Sequence, residues 1–495
     1  KVSLNYDKLN VALRDDVVLY LPNANNSSDN VNTTQLYNGF GTQDKNRKNI
    51  KLMPNPATNT IVLRGESVGL SVGTSNTVRQ FMSLKLALDA LETLDNQTKG
   101  QNYRITFFAD GYVITDEDRQ KMDAMKTSGA NEITWTSLID ENGRPIAAGP
   151  NKVTFSGDIS FFGKKNMLKD IRMFAGGDTE LFAEGRPFEV QANVTCERDE
   201  TASVKKNINI YGGGRLEGTS TSAVVVQSGT FGTIYGGGTK AQTGASSIQL
   251  SGGKAAKIYG GGKGMAGMLI GDTVINVDGG DVTGSIYGGG HGAKVKGTTA
   301  ITYNIDNTKA TKVVALDTIS GCGTGDAGDL IEEKEIDPDI TARNITIKNK
   351  STVNTGSMQL KNLTGFDSLS IGNSDATTND KAGVQISGRF DSRVADQPKN
   401  NRQDTVTLYS ATLALVGDVK AHIGQLKTDG ECLLIVPRKN GDSVPLKVDN
   451  DGNVIDQASK LKLAVLESTL TDQSRAENRI GDNVITFMNK DDVPA

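Results

Sequence analysis

Short runs of alternating apolar and polar residues, each broken by glycine, fill the middle of this chain. Val224, Val225 and Val226 run into Ser228 and Gly229; Ile248, Gln249 and Leu250 run into Ser251, Gly252 and Gly253; Ile275, Asn276 and Val277 run into Asp278, Gly279 and Gly280. Each block continues with an apolar residue, Phe231, Ala255 or Val282, and closes on the pentapeptide Ile-Tyr-Gly-Gly-Gly. That pentapeptide stands at 210–214, 234–238, 258–262 and 286–290, at spacings of 24, 24 and 28 residues. Alternation at period two with glycine at the corners predicts strands and turns. Self-similarity at this period predicts a stack of like units, and about 24 residues is the length of one coil of a parallel β-helix. The Ile, Leu and Val positions then face inward, with equivalent residues of successive coils about 4.8 Å apart.

Three successive glycines suit a corner with another coil directly above and below it, where little side chain is tolerated and φ > 0 is favoured. A degenerate fifth copy is expected at Ile319, Ser320, Gly321, Cys322 and Gly323, and a drifted earlier one at Met173, Phe174, Ala175, Gly176 and Gly177. If the isoleucines face in, alternation turns Tyr211, Tyr235, Tyr259 and Tyr287 outward as a ladder. Aromatic faces in a row are candidates for binding sugar rings or a protein loop. The competing reading is that the rings stack on each other and cover the glycine corner, adding rigidity.

The pattern elsewhere divides the chain into a β-rich leader (1–75), an N-terminal cap (76–149), the parallel β-helix (150–435) and a C-terminal β cap (436–495). In the cap, Ser83 opens a helix over 83–95 whose apolar stripe is Leu84, Ala87, Leu88, Leu91 and Leu94. Such a helix can cover the open end of a solenoid. A second short helix is signalled by the box beginning at Thr115, with Asp118 three residues on and Met122 and Met125 following. Near the end, Asn440 and Gly441 between two apolar runs signal a hairpin.

Composition narrows the partners. The chain has 54 basic and 58 acidic residues, a net charge of -4, and no marked block of one sign, which argues against nucleic acid. No apolar run is long enough to span a membrane, so no membrane insertion is expected. The three cysteines, Cys196, Cys322 and Cys432, are widely spaced without a CxxC, suggesting neither a zinc site nor a disulfide framework. The ends of the sequence read as those of a trimmed or mature fragment.

The pentapeptides, the strand and Gly-Gly units before them, the helix-then-strand entry and the turn at Phe182, Ala183, Glu184 and Gly185 together resemble right-handed parallel β-helix, pectin-lyase-like segments of large secreted surface proteins of Gram-positive gut bacteria. The resemblance covers about 80 to 495. It implies an all-β, right-handed solenoid, located extracellularly at the cell surface or cell wall. It also implies an adhesin-like module, one fragment of a larger surface protein, whose partner is a host or cell-surface protein or glycan. Pectin-lyase-like folds also carry polysaccharide lyases and glycoside hydrolases, and phage tailspikes share the fold, so both remain alternatives.

The residues give little chemistry to the enzyme alternatives. Gly290, His291 and Gly292 match a motif of hydrolases of this fold, yet the residue after each glycine triplet is Arg215, Thr239, Lys263 and His291 in turn, ordinary variation at a corner. No Asp-Asp and Asn-Thr-Asp partners precede it, and His422 has no motif around it. The stretch 321–326 resembles one unit of a calcium-binding array that needs several stacked copies, and 449–452 resembles an EF-hand start without its later Glu. Both read as turns, and the acidic run through Glu332, Glu333, Glu335, Asp337 and Asp339 reads as a solvated loop. No catalytic residue, metal ligand or cofactor is therefore assigned. The tyrosines are the binding candidates, since a lone Trp135 and 5% aromatic residues leave few carbohydrate platforms.

Overall fold

The computed structural model describes residues 67–73, 75, 78–81, 83–108, 110–138, 149–198, 206–306, 313–325, 340–350, 356–373, 382–392 and 404–415. It also describes the backbone of strands at 17–20, 50–55, 60–65, 335–336, 420–423, 425–429, 432–438, 461–467, 479–480 and 483–484, and the side chains of Leu426, Lys427, Asp429 and Cys432. The chain is a parallel β-helix solenoid. It divides into two compact units, 1–209 with 227–230 and 210–226 with 231–495.

In the first unit the predicted helix is present as α1 (Leu84–Gln97), and Ser83 caps it by accepting a hydrogen bond from Leu86 N. Leu84, Ala87, Leu88 and Leu91 are buried, as their spacing requires, while Leu94 is half-buried and Asp95 takes the last buried position. The second helix, α2 (Asp116–Ala124), carries the full capping box between Thr115 and Asp118. A buried network joins the two helix starts. Leu84 N donates to Tyr112 Oη at 2.7 Å, the Tyr112 hydroxyl donates to Asp118 Oδ2 at 3.1 Å, and Lys85 N donates to Asp118 Oδ1 at 2.7 Å. Burial pushes the Asp118 carboxyl up, against the pull of these hydrogen bonds.

α1 packs on α2 and on the strands Val68–Val72 and Arg79–Phe81. Those two strands pair antiparallel with each other, and Val68–Val72 pairs antiparallel with Asn102–Phe107. The antiparallel pair ends a parallel stack that runs from Asn102–Phe107 through Glu132–Thr136 and Asn166–Leu168 to Phe188–Val190. Opposite it lie Tyr112–Val113, Lys152–Ser160, Arg172–Phe182 and Thr195–Arg198, also parallel. Parallel pairing thus starts near 102, earlier than the 150 expected from the repeats. Gly176 and Gly177, expected to be a drifted corner, sit inside the strand Arg172–Phe182 at a register shift. They form an irregularity within a strand, where the pentapeptide glycines form a turn.

In the second unit one sheet stacks Thr219–Val226, Thr243–Leu250, Thr273–Asp278, Thr298–Ile305, Ala342–Asn349, Ser368–Gly372, Thr405–Tyr409 and Gln425–Asp429, all parallel. The other carries the pentapeptide strands and continues through Val314–Ser320, Gly356–Thr364, Ala382–Asp391 and Thr412–Leu415. The inward columns are those the alternation picked out. Val224, Ile248, Ile275, Ile301, Ile345, Leu369 and Val406 stack as one buried row, and Val226, Leu250, Val277, Tyr303, Ile347, Ile371 and Leu408 as the next.

Toward the end, Cys432–Arg438 pairs in parallel with Leu461–Glu467. Parallel pairing therefore runs past the expected boundary at 435, and the predicted hairpin around Asn440 and Gly441 lies outside the described residues.

Asp118 accepts from three donors, at Lys85, Thr115 and Tyr112, so Asp118→Ala strands each of them at about 1–3 kcal/mol per group. Loss of the Ser83 cap costs only about 1 kcal/mol. Urea unfolding of the first unit, followed by the fluorescence of the sole tryptophan, Trp135, is expected to show a larger loss for Asp118→Ala than for Ser83→Ala.

Candidate functional site

The glycine corner of the second unit is built almost entirely from backbone. Gly212, Gly236 and Gly260 N each donate to the tyrosine carbonyl of the following coil, Tyr235, Tyr259 and Tyr287, at 2.8 Å, and Gly288 N donates to Ser320 O at 2.8 Å. One residue on, Gly237 N reaches Gly261 O at 3.1 Å, Gly261 N reaches Gly289 O at 3.0 Å and Gly289 N reaches Cys322 O at 3.1 Å. Strand pairing therefore continues through the turn, and the chain of the next coil passes where a side chain would stand. A Cβ placed on Gly212 would lie 2.7 Å from Gly236 O, one on Gly237 2.6 Å from Gly262 N, and one on Gly261 2.8 Å from Gly290 Cα.

The expectation of φ > 0 here is corrected, because none of the twelve pentapeptide glycines is among the positive-φ residues. Their absent Cβ is what the corner uses. Positive φ belongs instead to the other corner, at Gly229, Gly253 and Gly279.

The tyrosines form the predicted ladder but are not exposed. Tyr211, Tyr235, Tyr259 and Tyr287 are 0%, 5%, 2% and 3% exposed, so the expectation that alternation turns them outward is overturned. Ile and Tyr are adjacent and both buried, so the ladder is shielded from solvent, and beyond the ladder the Tyr259 ring meets His291 and its hydroxyl meets Thr324, both just past a corner. The rings stack at centroid distances of 4.6, 5.2 and 4.9 Å with interplanar angles of 7°, 9° and 15°. Each such pair contributes about 0.5–1.5 kcal/mol beyond area burial. Ser320 continues the column in register with Tyr287, then Thr364 and Asp391, which identifies the degenerate fifth repeat as a true rung.

A second internal column escaped the sequence reading. Ser222, Ser246, Thr273 and Thr299 occupy one register position in successive coils and are buried. Each hydroxyl donates to the first glycine carbonyl of a pentapeptide corner. Ser222 reaches Gly236 O, Ser246 Gly260 O at 2.6 Å, Thr273 Gly288 O at 2.7 Å and Thr299 Gly321 O at 2.7 Å. The recurrence of Ser or Thr two residues before each inward Val or Ile was the available signal.

In the next coil this position is Arg343. Its Nε donates to Asp367 Oδ2 at 3.0 Å, its Nη2 to Asp367 Oδ1 at 2.7 Å, and its Nη1 approaches Cys322 Sγ at 3.8 Å. Burial works against the guanidinium charge, but Asp367 and Cys322 together hold its pKa above the ordinary value.

His291 stands at the corner position its spacing indicated, bridged in parallel to Lys263 on one side and Thr324 on the other. Its Nδ1 is 2.8 Å from Thr324 Oγ1, which in turn lies 3.3 Å from Tyr259 Oη, and its ring is 5.4 Å from that of Tyr259. His422 lies in the strand Lys420–Ile423, in register with Asp391. At the first calcium-like stretch, Gly321 packs on Gly365 O and Gly323 on Gly290 O, so both glycines are used in coil stacking. The second stretch, 449–452, and the acidic run apart from the backbone at 335–336 lie outside the described residues. Among the described residues, no group of three or more His, Cys, Asp or Glu is placed to hold a metal ion.

All three cysteines are free thiols. Although part of residue 196 is exposed, burial of its thiol pushes the pKa up to about 12, assisted by the charge of Glu197. Burial also raises that of Cys432.

No protein family, curated protein or solved structure matches the chain.

Two outcomes follow from this geometry. Gly237→Ala forces a Cβ into the neighbouring backbone and is expected to cost about 1–3 kcal/mol in chemical denaturation followed by circular dichroism. Gly218→Ala, whose nearest contact would be Gln242 O at 3.5 Å, is expected to be near neutral. At pH 8 a thiol with a pKa of about 12 is ionised in roughly one molecule in ten thousand. Native protein is therefore expected to leave Cys196 unlabelled by Ellman's reagent at pH 8, with reaction in denaturant and acceleration as pH rises toward 12.

Proposed function

We propose that this chain is an adhesin-like module of a secreted, cell-surface protein of the Gram-positive type, a rigid right-handed, pectin-lyase-like β-helix that presents a binding face to a host glycoprotein, a glycan or another cell. The observation that carries the reading is where the molecule places its distinctive groups. The four tyrosines and the Ser/Thr column are buried and used to fix one coil on the next. Outward positions carry short polar side chains such as Ser247, Gln249, Thr302 and Thr346. An interior of continuous backbone pairing keeps such a face in fixed register, which lowers the ordering cost of binding a repetitive ligand. The buried, mutually stacked tyrosines support the bracing role for the ladder; a bound sugar ring would have to displace packed groups to reach them. Among the described residues, no helix is long and apolar enough to cross a membrane.

Glycan-array and solid-phase binding test the proposal. Binding is expected to weaken when the segments around Asp329 and Lys399 are deleted, and a full panel without any bound glycan or glycoprotein would contradict it. Incubation with uronate polymers is expected to yield neither unsaturated products nor new reducing ends. Clear turnover would move the assignment to a polysaccharide lyase or hydrolase.

A further inference from the structure

The last interval between pentapeptides is 28 residues where the two before it are 24, and it holds a short turn, Met265–Gly267, that follows Gly264. Backbone fixes this turn against the coils on both sides. Gly264 N donates to His291 O at 2.7 Å, Gly267 N closes the turn on Gly264 O at 3.0 Å, and a Cβ on Gly267 would meet Gly238 O. Gly264 takes a φ of 70°, which glycine adopts without a steric penalty. In this anchored turn Met265 is 86% exposed.

The other methionines whose side chains are described are placed differently. Met122, Met125, Met173 and Met358 are 1%, 2%, 0% and 1% exposed, while Met167 and Met268 are half-buried, and Gln191 Nε2 lies 3.1 Å from Met167 Sδ. Met265 thus leaves in water an apolar side chain that burial would have stabilised. The turn itself is held by backbone groups and needs no thioether at this position.

We propose that Met265 is a modification site, oxidised reversibly to methionine sulfoxide by hydrogen peroxide. A sulfur lone pair attacks one peroxide oxygen, the S–O bond forms as the O–O bond breaks, and the displaced hydroxide takes the proton left on the transferred oxygen and departs as water. Sulfur loses two electrons and the peroxide gains them. A methionine sulfoxide reductase supplied with a dithiol reverses the step, releasing the oxygen as water and leaving a disulfide. Exposure selects the site, because the neutral thioether reacts where peroxide can reach its sulfur. Sulfoxide at 265 adds a polar oxygen outside the core, whereas the same change at Met173 would set one among packed apolar side chains. Oxidation therefore turns the surface of this turn from apolar to polar and leaves the coil contacts in place. The inference is independent of the surface-module reading and requires only contact with peroxide.

The test treats the whole folded chain with limiting hydrogen peroxide and follows each methionine by tandem mass spectrometry of peptides, which separates Met265 from Met268. Met265 is expected to gain one oxygen at least about tenfold faster than Met122, Met125, Met173 and Met358, and faster than half-buried Met268. In denaturant these methionines are expected to react at similar rates, which assigns the order to the fold. Protein oxidised at 265 is expected to keep its circular dichroism and its urea midpoint, and a methionine sulfoxide reductase with dithiothreitol is expected to restore the thioether. Equal rates at Met265 and the four buried methionines, or a Met265 no faster than Met268, would overturn the proposal. So would a lowered urea midpoint after oxidation at 265, or a sulfoxide there that the reductase leaves in place.

Discussion

The close approach of one coil to the next at the glycine corner is the constraint from which the second unit follows. Backbone hydrogen bonds between coils run along the strands and through the turn, as Gly212 N to Tyr235 O and Gly237 N to Gly261 O show. A ladder that continues through a corner leaves no room for Cβ atoms, and this is why the triplet is glycine although its backbone is not left-handed. Beside the fixed corner the tyrosine that precedes it is buried. There it meets its counterparts at stacking distance.

The inward hydroxyl column extends the same logic. The carbonyls of Gly236, Gly260, Gly288 and Gly321 point into the interior, where an unpaired acceptor costs about 1–3 kcal/mol. Ser222, Ser246, Thr273 and Thr299 each supply the missing donor from the facing sheet. Where the pentapeptide degenerates to Ile319, Ser320, Gly321, Cys322 and Gly323, tyrosine gives way to Ser320, and the next hydroxyl position becomes Arg343, clamped by Asp367. Gly321 and Gly323 remain glycine, with the backbone of neighbouring coils at Gly365 O and Gly290 O against them, while the middle position takes the buried Cys322.

Sequence reasoning reached the solenoid, its inward rows and both capped helices because each rests on local rules: period-two alternation, a fixed repeat length, and the capping chemistry of Ser83 and Thr115. It misplaced features that depend on contacts between coils. Strict alternation made Tyr211 and its equivalents an exposed ladder, since nothing in a single strand records what covers the rings. The glycine triplet looked the same whether it served dihedral freedom or close approach. The Ser/Thr column repeats visibly, but its meaning depends on a carbonyl 14, 15 or 22 residues away on the facing sheet.

Register also offers the most direct measurement. Val225 and Gln249 are paired positions on adjacent parallel strands, one coil apart and outside the hydrophobic rows. The double variant Val225→Cys, Gln249→Cys places its two Cα atoms within the span a disulfide can bridge. Mild oxidation of the folded protein is expected to close that bond within one chain, and a partner displaced by a single residue, Val225→Cys with Leu250→Cys, is expected to close far less because its side chain points into the core. Absence of the bond between 225 and 249, or its equal formation between 225 and 250, would contradict coils stacked in a 24-residue register.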